Sequence, residues 1–387
     1  MHVSEVQDWL LRTPLADDGG VSFMQQLAEV LRARAVPVWR AAFSLITKHP
    51  ELVWRTVQWV AETGVKTIDR QRLTLDDPFF TRSPIALLRR GAPPIRVRLQ
   101  SEAQRFPICE DLLAQGGTDY FALGLPFLNG EVGYLSLATR DAAGFSEATL
   151  AALTQLTPQL ARRLELASAY HATRALLGVY LGNNAGERVA SGQFQRGAGE
   201  LIDAAIWFCD LRGFTQLSDA SPPEAVVRTL DEYFDSVAGA VMDEGGEVLK
   251  FVGDAILAIF PVGSAPADAC RSALAAAKKG LHALEQLNRA RAARGDAVIA
   301  IGVALHLGRV MYGNIGARNR LDFTVISAAV NEACRLEGLC KPLRMPLLLS
   351  EAFAHAAQPT ELVDLGPQAL KGVSEPIRVF TLDALRD

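Results

Sequence analysis

Two aspartates, forty-four residues apart, are the residues of this chain best suited to hold divalent cations. Asp210 ends the run Ala204-Ala205-Ile206-Trp207-Phe208-Cys209 and is followed by Leu211-Arg212-Gly213. Asp254 follows Glu247-Val248-Leu249-Lys250-Phe251-Val252-Gly253 and precedes a second apolar run to Phe260. Strands that each deliver a carboxylate to a tight turn can place both around a cation pair. Such a pair, roughly 3.5–4 Å apart, clamps the attacking and leaving oxygens of a phosphoryl displacement. Aspartate is also an ordinary turn residue, so two plain strand ends remain open as a reading at this point. A third block, 320–337, adds Asn331 and Arg335, four residues apart and therefore on one face of a helix. Arginine suits the spread charge of a transferring phosphoryl group, and asparagine can orient a sugar oxygen.

The elements that must position these groups follow from periodicity and punctuation. A strand is expected at 204–209 and a helix at 223–244, opened by Pro222-Pro223 and closed by Gly245-Gly246. Val226, Val227, Leu230, Phe234, Val237 and Val241 form its apolar face. A hairpin at 247–260, a helix at 266–293, a strand at 298–306, a helix at 329–339 and a strand at 347–350 complete the order. This βαββαβ pattern predicts a ferredoxin-like sandwich with an antiparallel-rich sheet and helices on one face.

The blocks FCDLRGFTQLS, EVLKFVGDAILAIF, GNIGARNRLDFTVI, AVNEACRLE and LKGVSEPIRVF resemble the catalytic domain of class III nucleotidyl cyclases over roughly residues 200–381. The resemblance implies conversion of a nucleoside triphosphate to a 3′,5′-cyclic nucleotide and pyrophosphate. It implies two ions per site, Mg²⁺ or Mn²⁺, on Asp210 and Asp254, with the Leu211 carbonyl as a further ligand. Lys250 and Thr324 would read the base, Asn331 and Arg335 would serve the transition state, and Lys371 would contact the terminal phosphates. Phe214 and Thr215, in the turn after Asp210, would meet phosphate oxygens through backbone N–H groups. In the resembled family one subunit supplies the metal aspartates and its partner supplies the base, ribose and transition-state residues. A homodimer with two equivalent sites is therefore expected.

Hydrogen-bond polarity favours ATP, because Lys250 can donate to adenine N1 while the Thr324 hydroxyl accepts from N6. Guanylyl enzymes of the resembled family typically carry Glu and a small Cys-like residue at these two positions. Two departures stand out: Thr324 replaces the commoner Asp, and Ser327-Ala328 replaces the usual Gly-Asp. The alternatives are guanylate cyclase activity and a nucleotide-binding signalling module without turnover. The latter predicts a degraded catalytic position, and none is seen.

The expected fold class is α+β: a ferredoxin-like βαββαβ cyclase domain over 201–387, preceded by a GAF-like α/β sensor domain over 1–165 and a helical connector over 166–200. The GAF resemblance rests on residues 118–166, where strand, Asn-Gly turn and strand lead into GFSEATLAALTQL with its Ser cap. A small ligand of this domain would draw on Trp39, His49, Trp54, Trp59, Asp119 or Tyr120, though packing is the plainer reading of each. In the connector a helix from Pro158 to Leu181 would be about 36 Å long, with a break at the proline. Residues 182–199 read as a linker turn.

Composition narrows the remaining classes. The chain has 387 residues, 49% hydrophobic and 21% charged, with a net charge of −4 that gives no reason to expect nucleic-acid binding. Five cysteines without zinc spacing read as free thiols in a reducing compartment. No apolar run reaches the ~18 residues of a membrane span, and the N-terminus lacks a signal-peptide pattern. A cytoplasmic protein without membrane insertion is expected.

Overall fold

The computed structural model describes residues 3–14, 16, 18–46, 52–71, 78–372 and 375–385. The chain divides into two compact units, Met1–Leu176 and Leu177–Asp387.

In the first unit, helices α1 (Val3–Arg12) and α2 (Val21–Ala33) precede strands β1 (Arg40–Ile46), β2 (Leu52–Val60) and β3 (Gly64–Gln71). Short helices α3 (Pro78–Thr81) and α4 (Pro84–Arg89), strand β4 (Ile95–Arg98), and helices α5 (Leu99–Glu102) and α6 (Pro107–Ala114) come next. Strands β5 (Asp119–Pro126) and β6 (Val132–Thr139) and helices α7 (Glu147–Gln155) and α8 (Thr157–Leu181) follow. The six strands form an antiparallel sheet in the order β3-β2-β1-β6-β5-β4. Successive side chains point to opposite faces. Phe43, Val57, Phe121, Leu123 and Leu137 turn one way, against α1, α2, α7 and α8. Trp54, Tyr120, Ala122 and Tyr134 turn the other way, beneath residues 80–112. The Ser146 hydroxyl caps α7 by accepting from Thr149 N at 3.2 Å, as its sequence suggests. A helix break falls at Leu156, immediately ahead of Pro158 in the first turn of α8.

The tryptophans of this unit are packed. Trp39 donates to Glu62 and lies under Arg140, Trp54 stacks on Tyr134, and Trp59 is buried on the apolar face. Asp119 is fully buried and ion-paired with Arg96, while also accepting from Phe145 N. His49 lies outside the described residues.

The second unit opens on the last residues of α8 and continues with α9 (Asn183–Ala190), where a linker turn was expected. The Gly182 break precedes it, and the burial of Ala185 and Gly186 holds it in place. Its first turn is pinned by Glu247, a long-range partner that local composition cannot reveal: Ala185 N and Asn184 Nδ2 donate to the carboxylate, at 3.2 and 3.3 Å.

Strand β7 (Gly199–Leu211), helices α10 (Phe214–Ala220) and α11 (Pro223–Asp243), strands β8 (Glu247–Val252) and β9 (Ala255–Pro261), helix α12 (Pro266–Ala293) and strand β10 (Ile301–Ala317) then build the core. Strand β11 (Arg320–Ile326), helices α13 (Ala328–Glu337) and α14 (Cys340–Leu343), strand β12 (Leu347–Ser350), helix α15 (Glu351–Ala357) and strands β13 (Leu362–Gln368) and β14 (Ile377–Leu382) complete the unit. The order β13-β14-β12-β10-β7-β9-β8, with β11 hydrogen-bonded to β10, contains the ferredoxin-like arrangement of fourth, first, third and second core strands.

Helices α11 and α12 cover one face, where Tyr233, Val237, Cys270 and Ala273 meet Trp207 and Ala258. The expectation of helices on one face alone needs correction. The opposite face, with Ile206, Leu257, Ile259 and Phe323, is also apolar, and α9 and α13 bury it.

Candidate active site

Strand β7 alternates, so Ala205, Trp207 and Cys209 face the α11–α12 core while Ala204, Ile206, Phe208 and Asp210 face the α13 side. Pairing of Cys209 with Ile256 brings the end of β7 beside the start of β9. Gly253 and Asp254 form the two-residue turn of the β8–β9 hairpin, and Gly253 supplies the positive φ of 65° that such a turn requires. Asp254 is thereby delivered next to Asp210. Burial, and then the neighbouring Asp254 carboxylate, push the Asp210 carboxyl up to about 6. Leu211 closes the strand, and its N–H donates to Asp210 Oδ1 at 3.0 Å.

A third carboxylate joins them. Gly302 of β10 stands opposite Asp210, and a Cβ there would collide with Glu337 Oε1. Glu337 therefore lies over the glycine, on the same side as the aspartates. Burial, followed by Asp210, raises its carboxyl to about 7, against the opposing pull of Arg212. The sequence signal was the glycine facing the aspartate, visible only once the register of β7 and β10 is known.

Oxygen donors crowded to the point of mutual repulsion suit a hard divalent cation. Among the described residues, no group of three or more His, Cys, Asp or Glu side chains is placed to hold a metal ion, so the two aspartates and not a three-carboxylate set are the candidate ligands.

The other residues fall into two further groups. Lys250 on β8 is ion-paired with Asp322 on β11, two residues before Thr324 and on the same side of that strand. Thr324 is only 4% exposed, and its hydroxyl has no hydrogen-bond partner among the described residues. Asp322 was not singled out in the sequence, although its i, i+2 relation to Thr324 could have pointed to it.

Asn331 and Arg335 are both exposed on α13. Gly372 lies against Arg335, since a Cβ there would sit 3.5 Å from Nη2, and this brings the exposed Lys371 to the same region. Phe214 and Thr215 start the short helix α10 behind Gly213, where only a turn had been expected.

One angular relation separates the groups. Glu337 follows Arg335 by two residues, which is about 200° around an α-helix. Since Glu337 turns to Asp210, the Asn331–Arg335 face turns away from the aspartates of its own chain.

Residues 199–383 match the family model described as the adenylate and guanylate cyclase catalytic domain. An adenylate cyclase of Anabaena cylindrica is 34% identical over 197 residues, which is 49% of this chain and 38% of that protein. Adenylate cyclase 1 of Rhizobium meliloti is 32% identical over 197 residues, 50% of this chain and 29% of that protein. The match thus spans roughly a third of these relatives' length. The structure of a bacterial light-regulated adenylyl cyclase aligns with a TM-score of 0.50 at 19% identity, covering 68% of this chain and 84% of that one. That likeness bears on the fold alone.

Proposed function

We propose that the C-terminal domain, a catalytic domain of the adenylate and guanylate cyclase family, converts ATP to 3′,5′-cyclic AMP and pyrophosphate in a homodimer. The ribose 3′-oxygen attacks the α-phosphorus, the bond to the β-phosphate oxygen breaks, and the hydroxyl proton is lost to solvent. Two divalent ions, Mg²⁺ or Mn²⁺, held by Asp210 and Asp254 with the Leu211 carbonyl, would supply Lewis-acid activation and offset the charge of the leaving group. Arg335 stabilises charge that develops only as the α-phosphoryl group transfers, so its loss lowers turnover more than substrate binding. Asn331 orients the ribose, and Lys371 holds the terminal phosphates with the backbone of Phe214 and Thr215.

The choice of ATP rests on one observation, the buried Thr324 hydroxyl without a partner. Leaving such a group unpaired is costly, and adenine N6 is a donor that would satisfy it while Lys250 donates to N1. The opposed faces of α13 support a site shared between two chains. Exposed Phe251, Val252 and Ile326 near the relevant strands offer apolar surface for the second copy.

The N-terminal unit is read as the regulator of this activity. Measuring cyclic AMP and cyclic GMP formation by the full chain with Mg²⁺ or Mn²⁺ tests the proposal. Cyclic AMP from ATP is the expected product. Preferred use of GTP would overturn the substrate, and no turnover with either would overturn the activity.

A further inference from the structure

Lys250 and Thr324 stand on separate arms of the second unit. Lys250 is on β8, at one end of the sheet order, and Thr324 is on β11, which hangs from β10. Strands β7 and β9 lie between β10 and β8 in that order, and among the described residues no backbone ladder joins β8 to β11. Two side chains that close on one base must hold their separation to within about 0.5 Å. Backbone pairing does not set this separation, so side chains must.

Two side-chain bridges span the gap. The outer one is the Lys250–Asp322 ion pair, partly exposed and therefore a weak constraint. The inner one is buried. Tyr312 of β10 donates its hydroxyl to the Glu247 carboxylate of β8, 2.9 Å from Oε1 and 2.8 Å from Oε2. Burial, and then this hydrogen bond, hold the Tyr312 phenol well above its ordinary range, so the proton stays on the tyrosine.

Each end of the inner bridge leads to a base-reading residue. The Tyr312 ring meets Phe323 edge-on with ring centres 4.8 Å apart, and Phe323 directly precedes Thr324. Glu247 precedes Lys250 by three residues, across a register shift of β8 between Val248 and Lys250. Such a bulge re-aims the side chains that follow it.

Helix α9 completes the arrangement. A buried carboxylate needs several donors, and α9 gives Glu247 two, Ala185 N at 3.2 Å and Asn184 Nδ2 at 3.3 Å. The same helix reaches the other end of the bridge, where the Arg188 guanidinium lies over the Tyr312 ring, 5.0 Å from its centre. One helix is thus bonded to β8 and stacked on β10 at the point where the two arms face each other.

We propose that Tyr312 and Glu247 are positioning residues for base recognition: seated against α9, they fix the separation of Lys250 and Thr324 and so set the preference among nucleobases. This rests on the base-reading role proposed above for those two residues. Tyr312 acts through Phe323, and Glu247 through the β8 bulge. Loosening the gap penalises most the base that uses both arms at once.

The test uses Tyr312→Phe and Asn184→Ala in the full chain, each removing one donor to Glu247. The ratio of kcat/KM for ATP over GTP, taken from one preparation, does not depend on the active fraction, and a merely structural loss lowers both alike. Tyr312→Phe should lower the ratio by about tenfold, chiefly through the KM for ATP, and Asn184→Ala by about threefold. Binding of 3′-deoxy-ATP and 3′-deoxy-GTP, which lack the attacking hydroxyl and cannot cyclise, should show the same shift. Lys250→Ala is the reference. If it leaves both ratios unchanged, the base-reading role falls and this inference with it. If it moves them while folded Tyr312→Phe does not, this inference alone is overturned. Equal losses with both nucleotides in Tyr312→Phe would show a structural hydrogen bond and overturn it too. Should Tyr312→Phe not fold, Asn184→Ala decides by the same criteria, and failure of both to fold makes the bridge structural.

Discussion

The two units bury charge in opposite ways. In the C-terminal unit Asp210, Asp254 and Glu337 converge, and burial with mutual repulsion drives Asp210 and Glu337 toward protonation. In the N-terminal unit the Arg40 guanidinium is buried with Gln58 and with no carboxylate partner among the described residues. The carboxylates can lessen their conflict by taking up protons, while the guanidinium cannot. The acidic cluster is therefore sensitive to pH, and the buried guanidinium carries a fixed penalty.

The largest effect is expected at the acidic site. Asp254→Asn should cut cyclic AMP formation by on the order of a thousandfold, while the metal-free protein unfolds no earlier than wild type. Removing a charge from a repelling pair relieves the fold even as it disables the site. Mn²⁺ should raise the unfolding temperature of wild type and not of this variant. A variant that is inactive and also clearly less stable would show the aspartates to be structural.

Substrate choice is the next test. Lys250→Glu combined with Thr324→Cys should move the ATP-to-GTP ratio of kcat/KM toward GTP by on the order of a hundredfold. An unchanged ratio would remove these residues from base reading.

Complementation follows. Asp254→Ala and Arg335→Ala should each be nearly inactive alone. Mixed equally with free exchange, half the dimers are heterodimers with one intact site, and activity should return to roughly a quarter of wild type. Tagged chains would verify the exchange. No recovery in proven heterodimers would mean that a single chain carries a whole site.

The smallest effect is on pH. Asp210 and Glu337 titrate higher in the folded than in the unfolded chain, so between about pH 4 and 7 the native state binds more protons. Their contribution should lower the metal-free unfolding temperature as pH rises through that window, by about a few degrees. Saturating Mn²⁺ should flatten the trend. Glu337→Gln should remove part of it, and a profile unchanged in that variant would exclude Glu337 from the coupled group.

The same contrast explains what was legible in the sequence. Helix α12 begins and ends where its sequence says, at Pro266 and Ala293, because its boundaries are set by local capping chemistry. Asp210 and Asp254 were readable because strand ends and glycine turns are local too. Glu337 was not, since its position depends on Gly302 facing Asp210 across a sheet. The continuation of β10 past His306 was hidden by Gly308 and Gly313, which look like loop residues. At Gly308 the side chain of Ala329 leaves no room for a Cβ, and at Gly313 the backbone of Ala198 and Gly199 does the same. Arg40 reads as one more polar residue of a strand, because periodicity assigns a face without saying what will cover it.

Glu247 bears on where this catalytic domain can be cut or joined. The family match begins at residue 199, yet this buried carboxylate receives Ala185 N and Asn184 Nδ2 from α9, as well as the Tyr312 hydroxyl at 2.8 Å. Cleavage at 199 would strip away the first two donors and leave an anion underserved beneath an uncovered apolar patch. The folding module is longer than the span of the family model. Fusions that place another domain ahead of this catalytic domain should carry the chain from about residue 177 onward, and those joined at 199 should yield soluble protein poorly.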